Sequence, residues 1–341
     1  MYEKFYNFTA MPFQLTPDSR FFFGSKGHSR AIAHLNYGLA QGEGFIIITG
    51  EVGAGKTTLV EWLRSQVDQS AYTIARISTT QVSEHDLFRL AMAGFGLVDE
   101  ALGKAALLGR FEGVLRQHLA AGRRCLLIID EVQNLSVAAL EELRMLSNVT
   151  VDGRAALQTI LLGQPQFRRM LASPDLDQLR QRVLTSYHLG PLSHEETRAY
   201  IEHRLLAVGW KNDPHWDDEA FDAVYRHTDG IPRRINRLCS RVLLYGVLEE
   251  THDVTAAMVD TTANELQQDL EGGAEGVGGG WTDVQEHPPP ARLNGHGHAN
   301  GGTNGDYALF DLLNRVEALE QQMASREQVF RRLTHLLGTP R

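Results

Sequence analysis

Three glycines, a lysine and two threonines are concentrated in the segment Gly50, Glu51, Val52, Gly53, Ala54, Gly55, Lys56, Thr57, Thr58. Its spacing follows G-x-x-x-x-G-K-[ST], in which backbone N–H groups rather than side chains surround a phosphate. Gly50, Gly53 and Gly55 free the backbone to curl around the β-phosphate, and the start of the next helix adds a favourable dipole. Lys56 is expected to neutralise β and γ oxygens, and Thr57 to ligate Mg²⁺. ATP and Mg²⁺ are the expected ligand and cofactor.

Two adjacent acids, Asp130 and Glu131, end the apolar run Cys125 to Asp130. Asp130 is placed to hold Mg²⁺ through water, and Glu131 to orient and deprotonate an attacking water. The same pair also suits a helix N-cap and first-turn acid ahead of Leu135 to Leu146, a duty compatible with catalysis. A water activator is what separates a hydrolase from a kinase acting on small acceptors, so hydrolysis is expected.

Four further residues are candidates for action at a distance from the loop. Gln164 follows the run Leu157 to Gly163, where its amide can sense a γ-phosphate, although Gln before Pro is also an ordinary turn. Arg180 and Arg182 precede a strand-like segment, a location suited to an arginine reaching into a neighbouring subunit's site. They would equally complement a helix dipole. Arg233, beside Pro232 in Gly230 to Asn236, is placed to fold onto the γ-phosphate and tie a second module to nucleotide state, or simply to start a helix.

These residues need a scaffold. Phe45 to Gly50, Tyr72 to Ser78, Cys125 to Asp130 and Leu157 to Gly163 are short β-rich runs separated by helical sequence. Near-continuous apolar strands alternating with helices predict a parallel sheet covered on both faces, an α/β doubly wound core. That core is expected over residues 1–190. Apolar positions at helical spacing predict a helical lid over 191–270, without strands. Residues 271–305, rich in Gly, Pro, Asn and His, read as a linker. Over 306–341, Leu309, Leu312, Val316, Leu319, Met323, Phe330, Leu333 and Leu337 form a heptad seam with Arg326 as its polar exception, predicting a coiled-coil-like helix.

Composition sets the outer bounds. With 341 residues, 43% hydrophobic and 22% charged, the chain is long enough for about two folded units. A net charge of −9 argues against bulk electrostatic coating of nucleic acid. Cys125 and Cys239 are the only cysteines, so no disulfide framework is expected and the reducing cytosol fits. No secretory leader and no membrane-length apolar segment is read from the sequence. The expected location is cytoplasmic, with recruitment to the inner membrane through partners.

Taken together, the opening Met1 to Asp18, GEVGAGKTTL, LLIIDEVQNL, EELRMLSN, LLGQPQFR, LRQRV and GIPRRINRLC resemble the AAA+ ATPases of the general secretion pathway protein A type. More narrowly, the first 28 residues, LGQPQFR and ETRAYIEHRLLAVGW look like the ATPase associated with exosortase A and PEP-CTERM systems, encoded with exopolysaccharide machinery. The likeness spans about Met1 to Leu270. It implies a P-loop AAA+ core with a helical lid, Walker A at Gly50 to Thr58 and Walker B at Asp130 and Glu131. It implies Arg233 as the sensor-2 arginine and favours Arg182 as the finger. It also implies a homo-oligomer that works with envelope or exopolysaccharide partners. Secretion relatives usually continue into a membrane helix and a peptidoglycan-binding domain, which are absent here, so a cell-wall role is not expected.

The function expected from these features is ATP hydrolysis by an oligomeric switch or assembly factor for export machinery. The alternative is a DNA-binding ATPase like transposition helpers or replication initiators, using Arg233, Arg234, Arg237 and Arg241, although such a stripe commonly forms a solvated helix face. A polysaccharide-associated tyrosine autokinase is disfavoured, since the tail carries Tyr307 alone instead of a tyrosine cluster.

Overall fold

A computed structural model of the chain describes residues 2–16, 18–78, 83–97 and 103–275. Five strands form one parallel sheet: β1 (Phe45–Gly50), β2 (Tyr72–Ser78), β3 (Arg124–Asp130), β6 (Leu157–Gly163) and β7 (Val183–Leu189). Their spatial order is β2-β3-β6-β1-β7. A short antiparallel pair, β4 (Thr150–Val151) and β5 (Arg154–Ala155), lies between β3 and β6 in sequence.

The order explains the composition of each strand. β1 and β6 are buried along their whole length and β3 at all but its first residue, as expected of inner strands covered on both faces. β2 and β7 are the edges, and only some of their positions are buried. They carry the polar residues Thr73, Arg76, Thr185 and His188, and of these only Thr185 is buried.

Helices cover both faces. Apart from α1 (Tyr2–Phe5), which packs elsewhere, these are drawn from α2 (Lys26–Gln41), α3 (Lys56–Gln66), α4 (Glu84–Gly94), α5 (Lys104–Ala120), α6 (Val137–Leu146), α7 (Pro165–Leu171) and α8 (Asp177–Arg180). One face packs α2 and α3 through Leu35, Leu39, Leu59 and Leu63 against Ile46, Ile48 and Ile128. The other packs Leu87, Phe111, Leu140 and Phe167 against Phe45, Ile47, Leu127 and Leu161. Successive residues of β1 therefore serve opposite faces, as the pleat requires.

Beyond the sheet come α9 (His194–Leu206), α10 (Asp218–Thr228), α11 (Pro232–Leu248) and α12 (Ala256–Glu275). Ser193 and Glu196 close a capping box at α9, Asp217 caps α10, and Pro232 stands in the first turn of α11, three starts that the backbone chemistry favours. Two details differ from expectation. A two-residue parallel pair, β8 (His215–Trp216) with β9 (Asp253–Val254), joins the helices; pairs this short leave no periodic signal. The last helix continues to Glu275, past the expected boundary at Glu271, because extending a formed helix is far easier than nucleating one. The rest of the expected linker and the heptad seam lie outside the described residues.

The N-terminal segment joins the lid's core. Tyr2, Tyr6, Phe8, Phe13 and Phe21 share one apolar cluster with Ile201, Phe221, Leu238 and Val242. Thr9 donates through both its backbone N–H and its hydroxyl to the Val208 carbonyl. These aromatics would otherwise expose well over a hundred Å² each, roughly, so their burial holds the segment across the lid.

Candidate nucleotide site

The C-terminal ends of β1, β3 and β6 meet at one edge of the sheet, where open α/β sheets bind ligands. Thr49 pairs with Gly163, and Ile129 with Leu161. Gly50 to Thr58 leave β1 there and enter α3, with Gly53 at φ 83° and Gly55 at φ 99°. Both values lie in the left-handed region that glycine occupies without strain. Gly53 has a second constraint, since a Cβ there would sit 2.3 Å from Arg233 Cβ.

Lys56 is buried, and its Nζ donates to the carbonyls of Gly50 (2.8 Å) and Glu51 (3.0 Å). Burial lowers its pKa, while Glu131, Asp130 and Glu51 pull it back in part. Ala54 is buried; Val52 and Glu51 face outward. Thr57 Oγ1 donates to Asp130 Oδ2 at 2.9 Å, and Arg76 Nη2 lies 3.2 Å from the same oxygen. Arg76 also pairs with Glu61.

A hydroxyl and a carboxylate make a hard oxygen pair that fits Mg²⁺, which takes one or two protein carboxylates and completes its shell with water and phosphate. No group of three or more His, Cys, Asp or Glu forms a metal cage among the described residues.

Glu131 adopts the left-handed conformation at φ 55°. Its backbone N–H donates to Asp130 Oδ1 at 3.0 Å. Its Oε2 accepts from Gln133 Nε2 at 2.5 Å and from Gln164 Nε2 at 3.0 Å. Burial pushes the Glu131 carboxyl up, but the two amide hydrogen bonds and the charge of Lys56 outweigh it and hold the pKa below its ordinary value. The group is thus ionised at neutral pH, as a base must be. Ser136, and neither acid, caps α6.

A cavity of about 330 Å³ opens above the loop. Its walls are the loop itself, Glu131, Pro232, Arg233 and Asn236 of α11, Tyr200 and Arg204 of α9, and residues of the N-terminal segment including Gln14, Phe22 and His28. Arg233 N–H donates to the Gly53 carbonyl at 3.2 Å, so the first turn of α11 rests on the phosphate loop. Arg204 is buried between the rings of Phe21 and Tyr200. Burial lowers its pKa.

The structure brings together Lys56, Thr57, Asp130, Glu131, Gln164 and Arg233, and it leaves Arg182 apart. The Arg182 carbonyl accepts from Phe45 N–H at 3.0 Å, at the opposite end of β1 from Gly50. The six-residue strand spans about 17 Å from end to end, which puts Arg182 beyond reach of its own loop. Its Nη1 lies 3.5 Å from Ser147 Oγ. Arg180 is paired with Asp177 at 2.5 Å.

Sequence reasoning missed Gln133, Arg76 and the aromatic N-terminal wall. Gln133 stands two residues past the paired acids, and that proximity was its one signal. Arg76 sits at an edge-strand position where polar residues are common. Cys125 and Cys239 are buried thiols; burial pushes Cys125 up to about 12, which keeps it inert.

Comparisons with known proteins agree with this geometry. A protein-family profile described as an AAA domain matches residues 39–171. The chain is 37% identical over 267 residues to the General secretion pathway protein A of Aeromonas hydrophila, covering 78% of this chain and 48% of that protein. It thus spans about half the length of that curated relative. Among solved structures, the ADP form of the Aeropyrum pernix ORC2 protein is similar with a TM-score of 0.57 at 15% identity, covering 80% of each chain. The Thermotoga maritima RuvB Holliday junction branch migration motor has a TM-score of 0.50 at 20% identity, covering 74% of this chain and 75% of that one. The phosphate loop on β1, the paired acids on β3, the matched AAA domain and the shared sheet make this chain an ATPase with the P-loop AAA+ fold.

Proposed function

We propose that the protein hydrolyses Mg·ATP as an oligomer and uses the cycle as a switch or assembly factor for exopolysaccharide or exosortase-associated export machinery. The observation that carries the hydrolytic part is the placement of the Glu131 carboxylate beside the loop, held by the amides of Gln133 and Gln164 and next to Asp130. In this reading Lys56 leaves its loop carbonyls for the β and γ oxygens of ATP. Glu131 takes the proton of the attacking water. Thr57 and Asp130 hold Mg²⁺, which when bound offsets phosphate charge. Gln164 reports the γ-phosphate, and Arg233 passes the nucleotide state to the lid.

The Arg182 guanidinium, a strand's length from its own loop, supports a role in a neighbour's site and hence an assembly. The relationship to a general secretion pathway protein supports an envelope partner, and the exosortase association is a finer extension of that. No helix among the described residues is long and apolar enough to cross a membrane, so contact with envelope machinery would go through protein surfaces. The arginines that a DNA-binding reading would use are partly engaged: Arg234 pairs with Asp229 at 2.8 Å, and Arg233 is seated at the loop.

The test is a pair of variants. Lys56→Ala should abolish ATP binding measured by calorimetry, and Glu131→Gln should bind ATP normally and lose turnover. The Glu131→Gln protein, locked with ATP, should then capture an envelope protein from cells; capture of DNA alone would favour the alternative.

A further inference from the structure

The proposed reaction assigns no role to Gln133, yet its side chain uses both ends of its amide at the site. Nε2 donates to Glu131 Oε2 at 2.5 Å, and Oε1 accepts from the backbone N–H of Gln164 at 2.9 Å. The Gln164 side chain closes the ring by donating to the same Glu131 oxygen at 3.0 Å.

The backbone beneath is built to hold this ring. Gln133 lies in a single 3-10 turn, Val132–Asn134, that starts from the left-handed Glu131. Val132 is fully buried. A Cβ on Gly163 would meet Val132 Cγ2 at 2.8 Å and Gln133 Oε1 at 3.4 Å, so the turn is pressed against the end of β6. A left-handed non-glycine residue is strained and persists where its surroundings over-determine it.

We infer that Gln133 is a positioning residue for hydrolysis, fixing the aim of the Glu131 carboxylate and joining it to the γ-phosphate sensor Gln164. The inference rests on the reading of Glu131 as the base. The two amides differ in what ATP can do to them. Gln164 stands one residue past β6, the neighbour of the loop strand, so a γ-phosphoryl oxygen can compete for its amide. Gln133 is tied by its own Oε1 to the backbone of Gln164 and stays with Glu131. Its hold on the carboxylate therefore outlasts the arrival of substrate, and the base keeps its direction when the sensor turns away.

The experiment measures ATP affinity by calorimetry, and kcat and KM by phosphate release, for Gln133→Ala, Gln133→Glu, Glu131→Gln and the double variant Glu131→Gln with Gln133→Ala. Loss of a hydrogen bond to a charged group that acts mainly in the transition state should lower kcat by about tenfold or more and leave ATP affinity within about twofold. Gln133→Glu keeps size and the acceptor for Gln164 N–H but sets a carboxylate against Glu131. It should lose at least as much as Gln133→Ala, whereas a merely structural role predicts the reverse order. In the Glu131→Gln background, removal of Gln133 should change residual turnover by less than about twofold. Wild-type kcat in both single variants, or an equal further loss in the double variant, overturns the inference while leaving Glu131 as the base. Undiminished turnover in Glu131→Gln alone overturns the underlying reading, and the inference with it.

Discussion

His28 should make the fold sensitive to mild acid. Its side chain is 6% exposed, with Nδ1 2.8 Å from Ser25 Oγ. Ser25 Oγ already accepts from His28 N–H at 3.2 Å, which leaves the hydroxyl proton to point at Nδ1. Nε2 faces the phosphate loop, where a Cβ on Gly55 would come within 2.9 Å. Burial pushes the imidazole from 6.5 down to about 4, with Glu196 opposing in part. The unfolded chain takes up this proton near its ordinary value and the folded chain resists until about 4. Between those values the unfolded state binds more protons, so the stabilisation is intact above about 6.5 and is lost as pH falls. The full gap corresponds to about 3 kcal/mol, of which about 2 kcal/mol falls between pH 7 and pH 5. Urea unfolding of wild type and His28→Gln at those two pH values isolates the effect, because the carboxylates titrate alike in both. The stability difference between the two proteins should move by about 2 kcal/mol against wild type on acidification. An unchanged difference would show that His28 is solvated in the folded state, and a shift in favour of wild type that it is already charged there; either would refute the reasoning.

Two other outcomes follow from the site. Arg182→Ala should keep ATP affinity and lower turnover by about 10³-fold; mixing it with Lys56→Ala subunits should restore part of the activity, because in one of the two orientations a mixed interface pairs an intact loop with an intact arginine, and failure in demonstrably mixed assemblies would pass the role to Arg180. Gly53→Ala should weaken ATP binding and lower stability by about 1–3 kcal/mol through overpacking against Arg233, in addition to the left-handed strain. Gly53→Ala with Arg233→Gly should recover the overpacking part in a denaturant titration, and no recovery would mean that the lid does not rest on the loop.

Much of the candidate nucleotide site's geometry was legible because its motifs are local. Lys56 and Thr57 follow their glycines within one turn, and Asp130 and Glu131 are neighbours at the end of a buried strand, so spacing alone places them. The sheet was legible for a similar reason: β1, β3 and β6 are inner strands and read as mainly apolar runs, interrupted by Thr49 in β1 and by Gln158 and Thr159 in β6. What was not legible depends on contacts between distant segments. Nothing in the sequence around Gln133 says that its amide meets Gln164, which is 31 residues away. Arg76 reads as one more polar residue on a strand, and its pairing with Asp130 exists only because β2 lies beside β3. Strand order is a tertiary property, and hydrophobic period does not encode it.

The aromatic N-terminal segment shows how the same limitation bears on function. Tyr2, Tyr6, Phe8 and Phe13 come first in the chain, ahead of the strand that opens the core, yet they pack with helices that begin beyond residue 190. Further on, the same segment supplies Gln14, Phe22 and His28 to the cavity over the phosphate loop. One continuous stretch is therefore anchored in the lid at one end and shapes the nucleotide cavity at the other. Arg233 makes a second link between lid and loop through the Gly53 carbonyl. A lid held at two places to the site it covers cannot move without disturbing the cavity wall, and a nucleotide that alters the wall must bias the lid by the same free energy. In the proposed cycle, coupling between ATP and lid position would run through packing on both sides of the cavity, with Arg233 as one of the connections.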